Sequence, residues 1–435
     1  PSNTRRLVEE YGMARGKIIT ADGVVAAESV EAEGPFRYRR IYPLGATLSH
    51  VVGYDSPQFG RSGLELQYNE YLLGKKPPRG WVEEMTRKSD AGNDVYITIE
   101  SALQAVAAQA LGARRGAVVA MDPRTGAVLA ACSWPAFDPN ALAGGGGTQA
   151  ADAAMQAYNQ DASSPLLNRA TAGLYPPGSS FKVVTASAGI ESGLPASTTY
   201  DCPGVWPVGG SRVTNYGDPP RDFGAQDMDG ALTHSVNTYF AQLAVAMGPA
   251  SLAKYAQLFG LNSTPPLDYP AVAGSYIPSA GDMDDVELAW TGAGQGRLLL
   301  TPLQLCLVGC AVANGGKIMK PHLMKEIRGE AGILDRFASE EWRTVMSPGT
   351  AEEVLGMMVH VVQEGTGTGA AISGVTVAGK TGTAEVEGRE PHAWFVGIAP
   401  AEDPRVVVAV IVENGGGGGR EAAPVAKPVL EAALK

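Results

Sequence analysis

Residues 175–182 read "YPPGSSFK". Two prolines and a glycine stop whatever precedes them. An apolar run with helical spacing then begins, "FKVVTASAGI" at 181–190. Ser179 falls on the first turn and Lys182 three residues later. Positions i and i+3 share a helix face, so this spacing predicts Lys182 Nζ within reach of the Ser179 hydroxyl. A serine hydroxyl is a weak nucleophile until a base takes its proton. Lysine becomes that base when burial or a second cation lowers its pKa. A helix N-terminus also offers N–H groups and a positive dipole end where an oxyanion would form. The pair has the chemistry of acyl transfer.

Alone, the pattern is not selective. A second copy, Ser251-Leu252-Ala253-Lys254, lies in "GPASLAKYAQLFG" (248–260), where Ser251 reads as an ordinary helix N-cap. Two downstream clusters set Ser179 apart. "THSVNTYF" (233–240) carries Ser235 and Asn237, and "GKTGTAE" (379–385) carries Lys380, Thr381, Gly382 and Thr383 on a predicted strand. Ser235 offers a second hydroxyl that can relay a proton between Lys182 and a leaving nitrogen. Asn237 offers an amide donor and acceptor for a substrate peptide bond. Lys380 is a cation that can hold a substrate carboxylate and depress Lys182, and Thr381 and Thr383 can hydrogen-bond the same carboxylate. Gly382 leaves the strand bare, so a substrate can pair along its edge. The backbone N–H groups of Ser179 and Thr383 are the expected oxyanion hole.

Bulk properties agree with an enzyme of this kind. The 435 residues are 45% hydrophobic and 18% charged, enough for a proper core, and the net charge of −11 argues against nucleic acid as partner. Five histidines show no metal-binding spacing, and no cofactor is expected. Cys306 and Cys310 read as small core residues sharing a helix face, a placement poorly suited to a disulfide. "GAGQGR" (292–297) and "GTGTG" (365–369) lack the strand and helix context of nucleotide loops. No run of 18 apolar residues is present. The chain starts at Pro1 without a methionine, and an upstream segment is expected in the natural protein.

Two domains are expected, 1–90 and 91–435. The first reads as a small mixed α/β unit of short strands, with "RSGLELQYNEYLLG" (61–74) as one short helix. In the second, "DVYITI" (94–99) is a strand, 100–112 a helix and 116–134 a hairpin around Pro-Arg-Thr-Gly. Residues 141–150 read as a loop, and helices dominate from 179 to about 362. Three β runs come next at 374–385, 392–400 and 405–415, joined by short links that favour antiparallel neighbours. Gly415–Gly419 reads as a flexible turn before a last helix at 422–435. The fold class is α+β, with one mainly antiparallel sheet flanked by helices.

These motifs make the sequence resemble a class B penicillin-binding protein, most like the actinobacterial penicillin-binding protein A type. Similar text covers nearly the whole chain: 116–140, "GQGRLLLTPLQL" (294–305), 365–385 and "HAWFVGIAP" (392–400). Towards the N-terminus, Asn3, Arg5, "ARGKII" (14–19), "YPLGA" (42–46) and "SGLE" (62–65) resemble the non-catalytic pedestal of class B enzymes. No glycosyltransferase domain is expected, which points away from class A. The resemblance implies a transpeptidase of the serine β-lactamase-like fold. It would act on peptidoglycan stem peptides ending in D-Ala-D-Ala, release D-Ala, and be acylated by β-lactams. It also implies a RodA- or FtsW-like polymerase as partner. A single N-terminal anchor would hold the enzyme on the outer face of the plasma membrane. Val236 departs from the aspartate of the S-D-N form. A β-lactamase would need a water-activating Glu in an E-x-x-x-N pattern, and 238–290 offers only Glu287, with no Asn four residues on. A D,D-carboxypeptidase using water as acceptor, or a β-lactam sensor without turnover, would carry the same three motifs.

Overall fold

The computed structural model describes residues 10–33, 36–75, 92–144 and 147–435; Asn3 and Arg5 lie outside them. Two large sheets organise the chain. Their strands are β1 (Ile18–Ile19), β2 (Val25–Glu31), β3 (Tyr38–Ile41), β4 (Asp94–Ile97), β5 (Gly116–Met121), β6 (Val128–Trp134), β7 (Met324–Gly329), β8 (Gly332–Arg336), β9 (Ala378–Val386), β10 (Arg389–Ala399) and β11 (Val406–Val412). The principal helices are α1 (Gly63–Gln67), α2 (Asn69–Leu72), α3 (Ser101–Leu111), α4 (Thr148–Gln160), α5 (Lys182–Glu191), α6 (Asn237–Met247), α7 (Pro249–Leu258), α8 (Asp285–Ala293), α9 (Pro302–Ala313), α10 (Pro348–Gln363) and α11 (Ala423–Ala433).

The larger domain is built on a five-stranded sheet in the order β9-β10-β11-β5-β6, antiparallel throughout. Every residue of β5 and β11 is buried, because both faces are covered. The strand period of two divides β11 between them. Val407, Ala409 and Ile411 pack towards α9; Val406, Val408 and Val410 pack with Leu111 of α3 and Leu430 of α11. Helix α9 is apolar on all sides and buried from Pro302 to Val312, as a central helix must be. Gly309 lets it touch the sheet: a Cβ there would lie 2.6 Å from Val407 Cγ1 and 2.8 Å from Val396 Cγ2. Edge strand β6 is capped by a buried side chain. Gln104 Nε2 donates to Ala131 O (3.1 Å) and its Oε1 accepts from Ala131 N–H (2.8 Å). The opposite edge, β9, faces the turn at 178–181.

The second sheet runs β8-β7-β4-β1-β2-β3, with β1 and β4 parallel. It draws strands from both sides of residue 90, and its β7–β8 hairpin lies inside the stretch read as helical. The hairpin has little apolar signal to reveal it. Its core charge is Glu326, buried and paired with Arg328 and Arg336. Further differences from the sequence reading are local. The 61–74 helix breaks at Tyr68 (φ −106°, ψ 20°) into α1 and α2. Helix α4 starts at Thr148, inside the expected loop, after Gly147 at φ 84°. Gly248 caps α7, so Ser251 sits within the first turn and caps nothing. Cys306 and Cys310 both lie on α9, and all four cysteines are free thiols.

The N-terminal domain is held by buried charge. Glu65 and Arg40 are fully enclosed and 2.5 Å apart, and Arg15 Nη2 reaches Glu65 at 2.7 Å. Burial would raise the Glu65 carboxyl, but Arg40 and Arg15 outweigh it and hold the pKa below the ordinary value. Glu65→Gln leaves buried Arg40 without its counter-charge and Arg15 with only Asp55, at 3.6 Å. It is expected to lower stability by about 3–5 kcal/mol, read from the denaturant midpoint. Glu70→Gln, on the exposed side of α2, is expected to stay within about 0.5 kcal/mol of the parent.

Candidate active site

The turn that bears Ser179 is fixed from several sides. Gly178 has φ 55°, and a Cβ on it would sit 2.4 Å from Thr383 O, so only glycine fits. Trp394 Nε1 of β10 donates to Pro176 O (2.9 Å), and Ser180 Oγ donates to Pro177 O (2.7 Å). Tyr175 pairs with Leu300 through both backbone groups, and its hydroxyl donates to Glu413 Oε1 (2.8 Å), which also takes Arg169 Nε (2.6 Å). Gly178–Phe181 form one 3₁₀ turn, and α5 begins at Lys182. Ser179 is half-buried there, and among the described residues nothing hydrogen-bonds its hydroxyl.

Lys182 does not reach Ser179, against the expectation from spacing. Its Nζ donates to Ser235 O (2.8 Å) and Asn237 Oδ1 (2.6 Å), and lies 3.4 Å from Ser235 Oγ. Those three contacts fill the positions around Nζ and leave Ser179 out. Lys380 arrives from β9, with Nζ 2.9 Å from Ser235 Oγ and 3.1 Å from Thr381 O. Both lysines are fully buried. Burial, reinforced by the charge of Lys380, pushes Lys182 well below the ordinary lysine range. Burial alone brings Lys380 down to about 7. Ser235 Oγ accepts from charged Lys380, so its own proton is free to point at the lone pair of neutral Lys182. Ser235 is held in this position at φ 59°, the left-handed region a non-glycine residue enters only under constraint. Its neighbour Val236 is fully buried in the core, which accounts for an apolar residue in the middle of this motif.

Asn237 opens α6. Its Nδ2 donates to Thr214 O (2.8 Å), so both ends of the amide are engaged. Thr381 Oγ1 lies 2.6 Å from Thr366 Oγ1, and Thr383 Oγ1 accepts from Gly418 N–H (3.3 Å). Gly382 has a different reason from the one expected. A Cβ on it would meet Pro177 O at 2.6 Å and Ser180 N at 3.0 Å, so glycine is what lets β9 lie against the nucleophile turn. The carbonyl of Thr383 faces that turn. In a strand the N–H of the same residue points the same way, so the Thr383 N–H looks out from the sheet edge beside Ser179.

The structure thus links Lys182, Ser235, Asn237 and Lys380 by hydrogen bonds and packs the 380–383 strand against the turn that bears Ser179. It leaves Ser251 apart: Lys254 is exposed, with Nζ 5.0 Å over the Tyr255 ring. Two contributors escape the sequence reading: Thr366, whose "GTGTG" resembles only a fragment of a nucleotide loop, and Trp394. Nor is Gly415–Gly419 merely a flexible turn. A Cβ on Gly418 would meet Gly382 O at 2.4 Å, and one on Gly419 would meet Thr366 O at 2.2 Å. Among the described residues, no group of three His, Cys, Asp or Glu side chains could hold a metal ion, and no helix is long and apolar enough to cross a membrane.

Comparison with known proteins agrees with this geometry. Residues 116–431 match the penicillin binding protein transpeptidase domain, and residues 15–95 match the penicillin binding protein A dimerisation domain. The peptidoglycan D,D-transpeptidase PbpA of Mycolicibacterium smegmatis is 36% identical over 100% of this chain and 92% of its own. Penicillin-binding protein A from M. tuberculosis, solved as a ceftriaxone acyl-enzyme complex, superposes with a TM-score of 0.91 at 34% identity, covering 98% of this chain and 100% of that one. A D,D-transpeptidase domain from Eggerthella lenta gives 0.87 at 39% identity, covering 97% and 98%. The chain belongs to the penicillin-binding protein transpeptidase family.

Proposed function

We propose that this protein is a peptidoglycan D,D-transpeptidase that works through an acyl-enzyme on Ser179. The observation that carries the reading is the Ser235 hydroxyl, held between two buried lysines. A donor stem peptide ending in D-Ala-D-Ala adds to the open edge of β9. Its terminal carboxylate is met by Lys380, Thr381 and Thr383, and its peptide bond by Asn237. Ser179 Oγ bonds to the penultimate D-Ala carbonyl carbon, and the Ser179 proton passes to neutral Lys182. The oxyanion is received by the N–H groups of Ser179 and Thr383. As the C–N bond breaks, Ser235 relays a proton to the leaving nitrogen and D-Ala departs. An amine of a second stem then attacks the ester, gives its proton back along the same route and restores Ser179. Water in place of that amine would give D,D-carboxypeptidase side activity.

β-Lactams enter as donor mimics. Glu287, the only glutamate in 238–290, is engaged elsewhere. Its Oε1 accepts from Arg297 N–H (3.1 Å) and its Oε2 pairs with Arg297 Nε (3.4 Å), so deacylation by water has no built-in base there. We assign residues 1–90 to a non-catalytic pedestal and 91–435 to the transpeptidase unit. We also infer an extracytoplasmic setting with an N-terminal membrane anchor, a RodA- or FtsW-like glycan polymerase as partner, and a role in cell-wall synthesis during growth or division.

Intact mass after incubation with benzylpenicillin tests the nucleophile. A stable adduct of one antibiotic per chain is expected, lost in Ser179→Ala and kept in Ser251→Ala. An adduct that survives Ser179→Ala refutes the assignment. The pH profile tests Lys380. It carries its charge below about 7 and loses it above, so the second-order acylation rate is expected to fall as pH rises through that value. A rate that stays flat across this range would count against Lys380 as the carboxylate anchor.

A further inference from the structure

The inference rests on the acyl-transfer reading of Ser179 and concerns a residue that reading does not use. "GAGQGR" folds into the turn that closes α8 and packs on the nucleophile turn. Gly294 has φ 93°, and a Cβ on it would lie 1.8 Å from Gly178 O. On its far side the turn is braced by Arg297, whose Nη2 donates to Asp282 O (2.8 Å) and whose backbone N–H donates to Glu287 Oε1 (3.1 Å). The Gln295 N–H is tied to Trp290 O (2.8 Å). The backbone of Gln295 is therefore fixed, while its side chain is only half-buried. That side chain donates from Nε2 to Thr383 O (3.3 Å). This carbonyl lies on the open edge of β9, where an added peptide strand would place an amide N–H.

We propose that Gln295 is a specificity-determining residue. It occupies the Thr383 carbonyl as an internal stand-in for the donor amide, and an incoming donor must displace it. A primary amide is the side-chain group most like the peptide N–H it replaces. A ligand that brings its own amide N–H exchanges one hydrogen bond for another and gains little. A ligand without one is indifferent to whether Gln295 is there. With Gln295 in place the carbonyl keeps a hydrogen-bond partner.

The test is the second-order rate of Ser179 acylation in the unchanged protein, in Gln295→Met and in Gln295→Ala. Two probes are used: benzylpenicillin, whose side chain carries an amide N–H, and imipenem, whose hydroxyethyl group has none. Methionine keeps the volume and removes the donor. Both variants are expected to speed benzylpenicillin acylation by roughly threefold to tenfold, the worth of one hydrogen bond no longer exchanged, and to leave imipenem within about twofold. A fall with both ligands would make Gln295 a support of the site, and an equal rise with both would make it a steric plug; either overturns the inference, as does no change. If the unchanged protein is acylated by neither antibiotic, the acyl-transfer reading fails and the inference with it. If it is acylated normally and only the ligand ratio stays constant, the inference alone fails.

Discussion

Two lysine side chains, both withdrawn from water, converge on the hydroxyl of Ser235. Two ammonium groups this close in a poorly solvated site repel each other strongly, and burial penalises each one separately. The arrangement is tolerable only if one is neutral. Lys182 is the one that yields, since it feels the charge of Lys380 as well as its own burial. That asymmetry sets the division of labour: a neutral amine available as a base, a cation available for a carboxylate, and a hydroxyl between them able to pass a proton. The hydrogen bonds of this group are made among its own members, and Ser179 stands outside it. Lys182 must give up one partner to serve the nucleophile.

Placing those groups requires backbone to pass backbone at distances that no side chain permits. Gly178 and Gly382 are the two contacts that seat the nucleophile turn on β9, and Gly294 and Gly418 close the next layer on either side. Each is glycine because a Cβ would overlap a carbonyl. Behind them, β10 and β11 are buried over most or all of their length, and α9 fills one face of the sheet while α3 and α11 fill the other. A sheet packed on both faces is stiff, so the edge strand it presents is a fixed reference for the turn and for whatever adds to it.

Most of this is legible in the sequence, for identifiable reasons. The three polar clusters have distinctive residue pairs, and the strands of the C-terminal meander are long, apolar and bounded by turn residues. Helix α9 announces itself as buried because it has no polar face. The N-cap reading of Ser251 fails because the preceding Gly-Pro provides the helix start. The hairpin β7–β8 is hidden because its alternation is carried by paired charges, Glu326 with Arg328 and Arg336, and not by apolar residues. The reach of Lys182 is misjudged because i and i+3 on one face says nothing about competing acceptors. Ser235 O and Asn237 Oδ1, more than fifty residues away in sequence, take the ammonium first. Glycine reads as freedom at 415–419 and as bareness at 382, where close backbone approach decides it.

The most direct test of the two-lysine arrangement is a pH titration of the lysine side-chain resonances by NMR, with Lys182→Arg and Lys380→Arg proteins for assignment. The expected result is that Lys380 titrates near 7 and that Lys182 titrates well below the ordinary lysine range. If both lysines stay protonated up to the ordinary lysine range, about 10, neither can act as a base at neutral pH, and the proton route built on Ser235 is wrong.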